Sequence, residues 1–215
     1  MSHEHEAIGE DLEFVTQKHR NLKKIYKWRG YFYIPILLVM IFCSWNEYEN
    51  NLIIWPFGLG FIALSLIIRL WATKNLGRRI PRKYKPGARL HLVVEGPYRL
   101  VRNPLYIGNI LAIMGLCILS GLLWFVPIVF AYFFLHYSLV VRYEEYKLSV
   151  LFGREYGIYC QKVPRWIPQF SRIREAKGES LKWSGALRGE LPNIAGTSLI
   201  ILILLGKEII ETGLH

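Results

Sequence analysis

The sequence predicts an all-α, integral membrane helical bundle with four to five transmembrane helices. Three observations carry this. Of 215 residues, 53% are hydrophobic, and they are gathered into runs that approach the roughly 20 residues a helix needs to cross a hydrocarbon core. A soluble helical domain would spread its apolar positions along stripes instead. The basic residues are gathered too. Six lie between Lys18 and Arg29, nine between Lys74 and Arg102, and ten between Arg142 and Arg188, while the stretches 46–51 and 120–123 hold none. That alternation is the positive-inside pattern of helices crossing in pairs. Third, proline and glycine break the long polar stretch 72–104 at Pro81, Pro86, Gly87, Gly96, Pro97 and Pro104, so no continuous helix runs through it.

The net charge of +11 follows the same division. It reads as orientation plus contact with anionic lipid headgroups; no nucleic-acid motif accompanies it. Membrane lipids are the expected partner, not nucleic acid. Cys43, Cys117 and Cys160 are odd in number and lack a CxxC spacing, so neither a disulfide framework nor a metal site is expected. His3 and His5 belong to a solvated tail whose opening, MSHEHEAIGEDLE, does not read as a signal peptide.

In chain order, residues 1–30 form a polar tail and then a basic helix, 14–29, suited to the inner membrane surface. Residues 31–71 hold two crossings. The first, 31–45, is flanked by aromatic residues, and Pro35 kinks it or marks its first turn. The second, 52–71, contains Gly58 and Gly60, which permit close helix approach. Arg69 near its inner end is expected to snorkel to the interface. Residues 72–168 are the core carrying the chemistry: an irregular cytoplasmic connection, a third crossing over 105–119, a tight turn at Ser120-Gly121, and a fourth crossing over 122–141. The fourth continues past the membrane as RYEEYKLSVLFGREYGIYCQKV, weakened at Gly153 and Gly157 and ended by Pro164. Residues 169–215 are a cytoplasmic segment and then an apolar run, 191–206, extensible to 210, that is a fifth crossing or else a re-entrant or surface helix. Lys207 and Glu211 there form an i,i+4 pair. The first two helices either close the bundle or form a homodimer surface.

Two places carry chemistry. In LHLVVEGPYRLVRNPLYIG, residues 90–108, a Gly-Pro turn and the break at Pro104 bring Tyr98, Arg102, Asn103 and Tyr106 to the edge of an apolar helix. Glu144 and Glu145 stand at the inner end of the fourth crossing, where ionisable groups usually face a protein interior or an aqueous cavity. Arg142 shares a face with Glu145. His136 and Glu144 share one about 12 Å apart, although His136 alone reads as a core residue with its polar atoms satisfied. Together these residues define a cytoplasmic pocket between the third and fourth crossings.

GPYRLVRNPLYIG resembles the G-x-Y-x-x-x-R-H-P-x-Y-x-G signature of the isoprenylcysteine carboxyl methyltransferase and phospholipid methyltransferase superfamily. RYEEYKLSVLFGREYGIYCQKVPRWIP resembles its second signature, a Glu pair, a Phe-Gly, a Tyr-x-x-Tyr spacing and then Val-Pro. The resemblance covers residues 74–168 and implies an integral membrane methyltransferase with its N-terminus and active site cytoplasmic. It would use S-adenosyl-L-methionine and act on a lipid or lipidated acceptor. It implies cofactor contacts at His91, Leu92, Val93, Tyr98, Asn103, Pro104, Tyr106 and Glu144, and catalytic or acceptor-placing roles for Arg102, Arg142 and Glu145. Asn103 stands where the family has His, so a titratable imidazole is absent, and Val140 stands where the carboxyl methyltransferases have Arg. His91 is displaced by one position from the closest family spacing. Two other classes fit part of the sequence: an NADPH-dependent membrane reductase of the related sterol reductase type, and a non-enzymatic membrane scaffold. The first lacks its longer chain here; the second leaves the paired motifs unexplained.

Overall fold

The computed structural model describes residues 20–43, 50–76, 91–175 and 183–213, and within them six α-helices and four 3₁₀ turns account for the regular structure. The helices are α1 (Arg20–Trp28), α2 (Ile34–Phe42), α3 (Asn51–Leu76), α4 (Pro104–Leu119), α5 (Val126–Lys162) and α6 (Trp183–Gly213). The expected tail, residues 14–19 of the basic helix, residues 44–49 with most of the 46–51 connection, residues 77–90 and residues 176–182 lie outside the described residues.

Among the described residues three helical segments are long and apolar enough to cross a membrane: Asn51–Leu76, Leu123–Lys162 and Trp183–Ile210. A fourth arises if Arg20–Trp28 and Tyr31–Phe42, bent by 66°, count as one span, and α4 adds a shorter apolar helix. The first crossing differs from the expected helix over 31–45. The chain breaks near Gly30, winds one 3₁₀ turn at Tyr31–Tyr33, and α2 ends at Phe42 after nine residues. Pro35 sits in the first turn of α2, where its missing N–H has no helical partner to lose. It marks that turn and does not kink the helix.

Lipid tails are as apolar as leucine, so close packing and polar contacts hold such helices together. The tightest contact is α3 on α4. A Cβ placed on Gly58 would stand 2.6 Å from the Leu119 side chain, and one on Gly115 only 2.7 Å from the Gly58 carbonyl. Gly60, expected to share this role, faces open space. Ser65 Oγ donates to the Gly108 carbonyl at 2.7 Å. The α4–α5 hairpin turns where expected. The Ser120 and Gly121 N–H groups donate to the Leu116 and Ile118 carbonyls, each at 3.0 Å. Met40, Ile113, Cys117, Leu122, Val129 and Phe133 form a buried core between α2, α4 and α5. Apolar side chains such as Leu52, Phe57, Leu135, Leu199 and Leu202 point outward, as a lipid-facing surface requires.

The apolar part of α5 ends at Val141, and a charged remainder beginning at Arg142 extends beyond it. Gly153 bends that remainder with φ +47° and ψ −119°, a backbone state that glycine enters without steric cost. α6 begins at Trp183 and runs through Pro192, so residues 183–190, read from sequence as polar cytoplasmic chain, are helical. Glu190 is buried there and pairs with Arg69, their Oε2 and Nη2 atoms 2.7 Å apart. Arg69 therefore does not snorkel. It turns inward to Glu190 and to the Asn109 side chain. Lys207 Nζ donates to the Cys43 carbonyl at 2.8 Å, while the side chain of its expected partner Glu211 lies outside the described ones.

Candidate active site

The two motifs are tied into one unit. Residues 91–94 carry no regular secondary structure, and then the chain winds a 3₁₀ turn at Gly96–Arg99 with Pro97 as its second residue. Gly96 holds φ +58°, and a Cβ there would stand 2.4 Å from the Asn75 side chain. No other residue type fits both constraints. The turn buries Tyr98, Leu100 and Val101. From the far end of α5 the VPRWIP segment returns alongside. Arg102 N–H donates to the Pro164 carbonyl at 2.9 Å, and Gln169 N–H to the Leu100 carbonyl at 3.0 Å. Tyr159 hydroxyl donates to the Tyr98 carbonyl at 2.7 Å. Asn103 precedes Pro104, the first residue of α4, and makes no cap; its Nδ2 donates instead to the Arg165 carbonyl at 3.2 Å.

The adjacent carboxylates part company, because consecutive helical residues point about 100° apart. Glu145 is buried and faces the returning strap. Arg165 grips it with Nη2 at 2.5 Å and Nε at 3.1 Å, and Arg102 Nη1 adds a contact at 3.1 Å. Arg102 Nη1 also lies 2.9 Å from Cys160 Sγ, and its buried Nε has no hydrogen-bond partner among the described residues. Two guanidiniums on one carboxylate leave a surplus positive charge beside Asn103. The Glu145 contact raises the Arg165 pKa further above its ordinary value.

Glu144 faces the other way, toward α1 and the start of α4. Its Oε1 lies 3.4 Å from Arg29 Nη1, and the Tyr106 and Tyr26 hydroxyls act on it as hydrogen-bond partners. Burial pushes its carboxyl above the ordinary range, against the lowering pull of Tyr106, Arg29 and Lys147. Tyr106 and Glu144 thus meet where the pocket between third and fourth crossings is expected, with α1 laid across it. The Tyr106 ring packs at a tilt against that of Tyr137 with centroids 4.8 Å apart, and the Tyr137 hydroxyl bonds that of Tyr33.

The remaining expected residues divide. Val93 is buried with Ala72 and Tyr98, and Leu92 packs on the Tyr156, Tyr159 and Val163 cluster. His91 is exposed. Arg142 is exposed and does not pair with Glu145; the shared helix face was outweighed by two arginines arriving from loops. His136 is buried, stacked on Phe32 at 4.1 Å, and its Nε2 has no hydrogen-bond partner among the described residues. It is therefore not the satisfied core histidine expected. Arg29, Tyr26 and Arg165 were missed. The Arg165 signal was its place inside VPRWIP; Arg29 offered none beyond its charge. Among the described residues no group of three His, Cys, Asp or Glu side chains converges.

A cavity of about 350 Å³ lies against α4, and no residue of α5 lines it. Its walls come from α2, α3, α4, α6 and the α1–α2 break.

Residues 54–155 match the phospholipid methyltransferase family. The chain is 28% identical over 169 residues to the cobalt-zinc-cadmium resistance protein CzcN of Cupriavidus metallidurans, covering 79% of this chain and 64% of that one. It is 34% identical over 118 residues to protein-S-isoprenylcysteine O-methyltransferase B of Arabidopsis thaliana, covering 52% of this chain and 58% of that one. With the A enzyme of the same plant it shares 31% identity over 138 residues, 57% of this chain and 68% of that one. The chain thus spans less than two-thirds of the length of the first two of these relatives. No solved structure matches it.

Proposed function

The chain belongs to the phospholipid and isoprenylcysteine methyltransferase superfamily, and from that premise we propose that it transfers a methyl group from S-adenosyl-L-methionine to a lipid or lipidated acceptor. The observation that carries the reading is the clasp of the two motifs. It sets a carboxylate, Glu144, and a surplus cation on Arg102 and Arg165 at two edges of one turn. A zwitterionic amino acid end fits that donor set. Glu144 would hold its ammonium and the arginine pair its carboxylate, with Tyr98, Asn103, Pro104, Tyr106 and the backbone of 91–93 framing the rest.

When bound, the cofactor supplies an electrophilic methyl on a sulfonium, which forms a bond to an acceptor lone pair as the carbon–sulfur bond breaks and its electrons stay on sulfur. The chain's own part is alignment and exclusion of water. An anionic acceptor needs a cation to place it, and Arg102 with Arg165 serves better than the exposed Arg142. An amine acceptor must lose a proton; Glu145 is already held by two guanidiniums and Glu144 by the ammonium, which leaves water to take it. Asn103 can donate and accept but moves no proton at neutral pH. The basic clusters put this face, with the N-terminus, in the cytoplasm.

The test is calorimetric titration of the purified protein with S-adenosylmethionine in detergent and in lipid. Binding is expected in the wild type, with at least about a tenfold loss in Glu144→Ala and Arg165→Ala, the scale of one charged hydrogen bond. No binding in any lipid or detergent refutes the reading.

A further inference from the structure

The cavity against α4 is built like a chamber for an amphiphile. One end is polar, with Arg69, Asn109, Glu190 and Asn193 on its wall; the other is apolar, with Ile62, Leu116 and Ile201. Seven helical residues separate Asn109 from Leu116 and Arg69 from Ile62, a depth of about 10 Å. The volume of about 350 Å³ sits near the lower end of small-molecule sites, which run from about 300 to 1,000 Å³. It has room for one chain and not for a diacyl pair.

The polar end lies at the level of the clasp, and the two are linked. Gly30 and Tyr33 line the chamber. Arg29, the neighbour of Gly30, pairs with Glu144. Tyr33 bonds Tyr137, whose ring packs against Tyr106 beside Glu144. The break between α1 and α2 is therefore the rim shared by chamber and carboxylate.

Resting on the methyltransferase reading, we infer that this chamber holds the single aliphatic or isoprenoid chain of the acceptor, with an uncharged hydrogen-bonding link at Arg69, Asn109 and Glu190, and passes the reactive head over Gly30 to Glu144. The link is uncharged because the wall is already balanced. Glu190 accepts from Arg69 Nε at 2.8 Å, Thr73 at 2.6 Å and Asn193 at 3.1 Å. A carboxylate or ammonium arriving here would have to split the pair and strand one buried charge. An amide or hydroxyl only shares its hydrogen bonds. α6, which supplies Glu190 and much of the wall, lies wholly outside the matched span of 54–155.

The test uses the full-length protein in maltoside micelles and three probes: decanamide, decanoate and decylammonium, each with a terminal diazirine. A Cβ at Gly196 meets open space although the residue lines the chamber, so Gly196→Leu fills it without a clash. Decanamide is expected to label Ile62, Leu116 and Ile201, and Gly196→Leu to cut that labelling at least about tenfold while leaving S-adenosylmethionine affinity unchanged. Labelling confined to outward residues such as Leu64, Leu199 and Leu202, or indifferent to Gly196→Leu, overturns the chamber. Equal labelling by decanoate or decylammonium overturns the uncharged link. A wild type that labels as expected yet binds no S-adenosylmethionine overturns the methyltransferase reading alone.

Discussion

Replacing Glu190 by Leu removes a carboxylate whose side chain is 4% exposed and leaves Arg69, itself 13% exposed, with only the Asn109 side chain. Thr73 and Asn193 lose their acceptor at the same stroke. Two scales compete for the cost. Single interhelical hydrogen bonds in a membrane protein average about 0.6 kcal/mol, whereas stripping one partner from a buried ion pair costs about 3–5 kcal/mol. The second should govern, because a charge is stranded. Arg69 lies seven residues from the end of α3 and can retreat toward headgroups, which places the loss near the lower end. About 3 kcal/mol is expected, roughly a hundredfold in the folding equilibrium. Unfolding in mixed dodecyl sulfate and maltoside micelles, followed by circular dichroism, measures it. Arg69→Met with Glu190→Leu removes both charges and should recover most of the loss. A single variant costing under about 1 kcal/mol, or a double variant as weak as the two losses added, refutes the stranded-charge argument.

The α3–α4 contact makes two alanine substitutions differ in sign. Gly115→Ala drives a methyl to 2.7 Å from a backbone carbonyl and should cost about 1–3 kcal/mol, while Gly60→Ala, in open space, should gain up to about 1 kcal/mol; micellar unfolding midpoints that move together count against the packing. If Glu144 holds the cofactor ammonium, protonating it weakens binding. Its raised pKa brings that loss on at higher pH than an ordinary carboxyl near 4.3 would, about tenfold per unit below the folded value. Calorimetry should show this slope in the wild type and not in Glu144→Gln; parallel profiles exclude the role. The empty fold shifts the opposite way. Its native state takes up this proton more readily than the unfolded chain, so this group adds stability as pH falls.

The middle of the fold was legible because its signals are local. Apolar runs ended by Pro104 and by Ser120-Gly121 place α4 and the hairpin within a residue or two. The clasp was legible as an association of two motifs, yet its partners were not. Arg142, three residues from Glu145, is a nearer cation than Arg102 or Arg165, and only the fold shows that strap and turn arrive first. α1 and α2 break where a helix would have satisfied the apolar pattern, since Gly30 and the aromatic run Tyr31–Tyr33 take a 3₁₀ turn that leaves Arg29 beside Glu144. The Arg69–Glu190 pair joins residues 121 apart. No periodicity reaches that far, and each side chain alone reads as an interfacial charge.

That separation also has a consequence in time. Arg69 leaves the ribosome 121 residues before Glu190, which at 5–20 residues per second is a wait of about 6–24 s. Throughout that interval α3 must sit in the bilayer with an arginine whose counter-charge does not yet exist. Its place near the end of α3 lets it rest among headgroups until α6 arrives. Insertion of α6 is then more than the addition of a wall. It draws the arginine inward and ties α3 to α6, so the chamber comes into being only once α6 is in place.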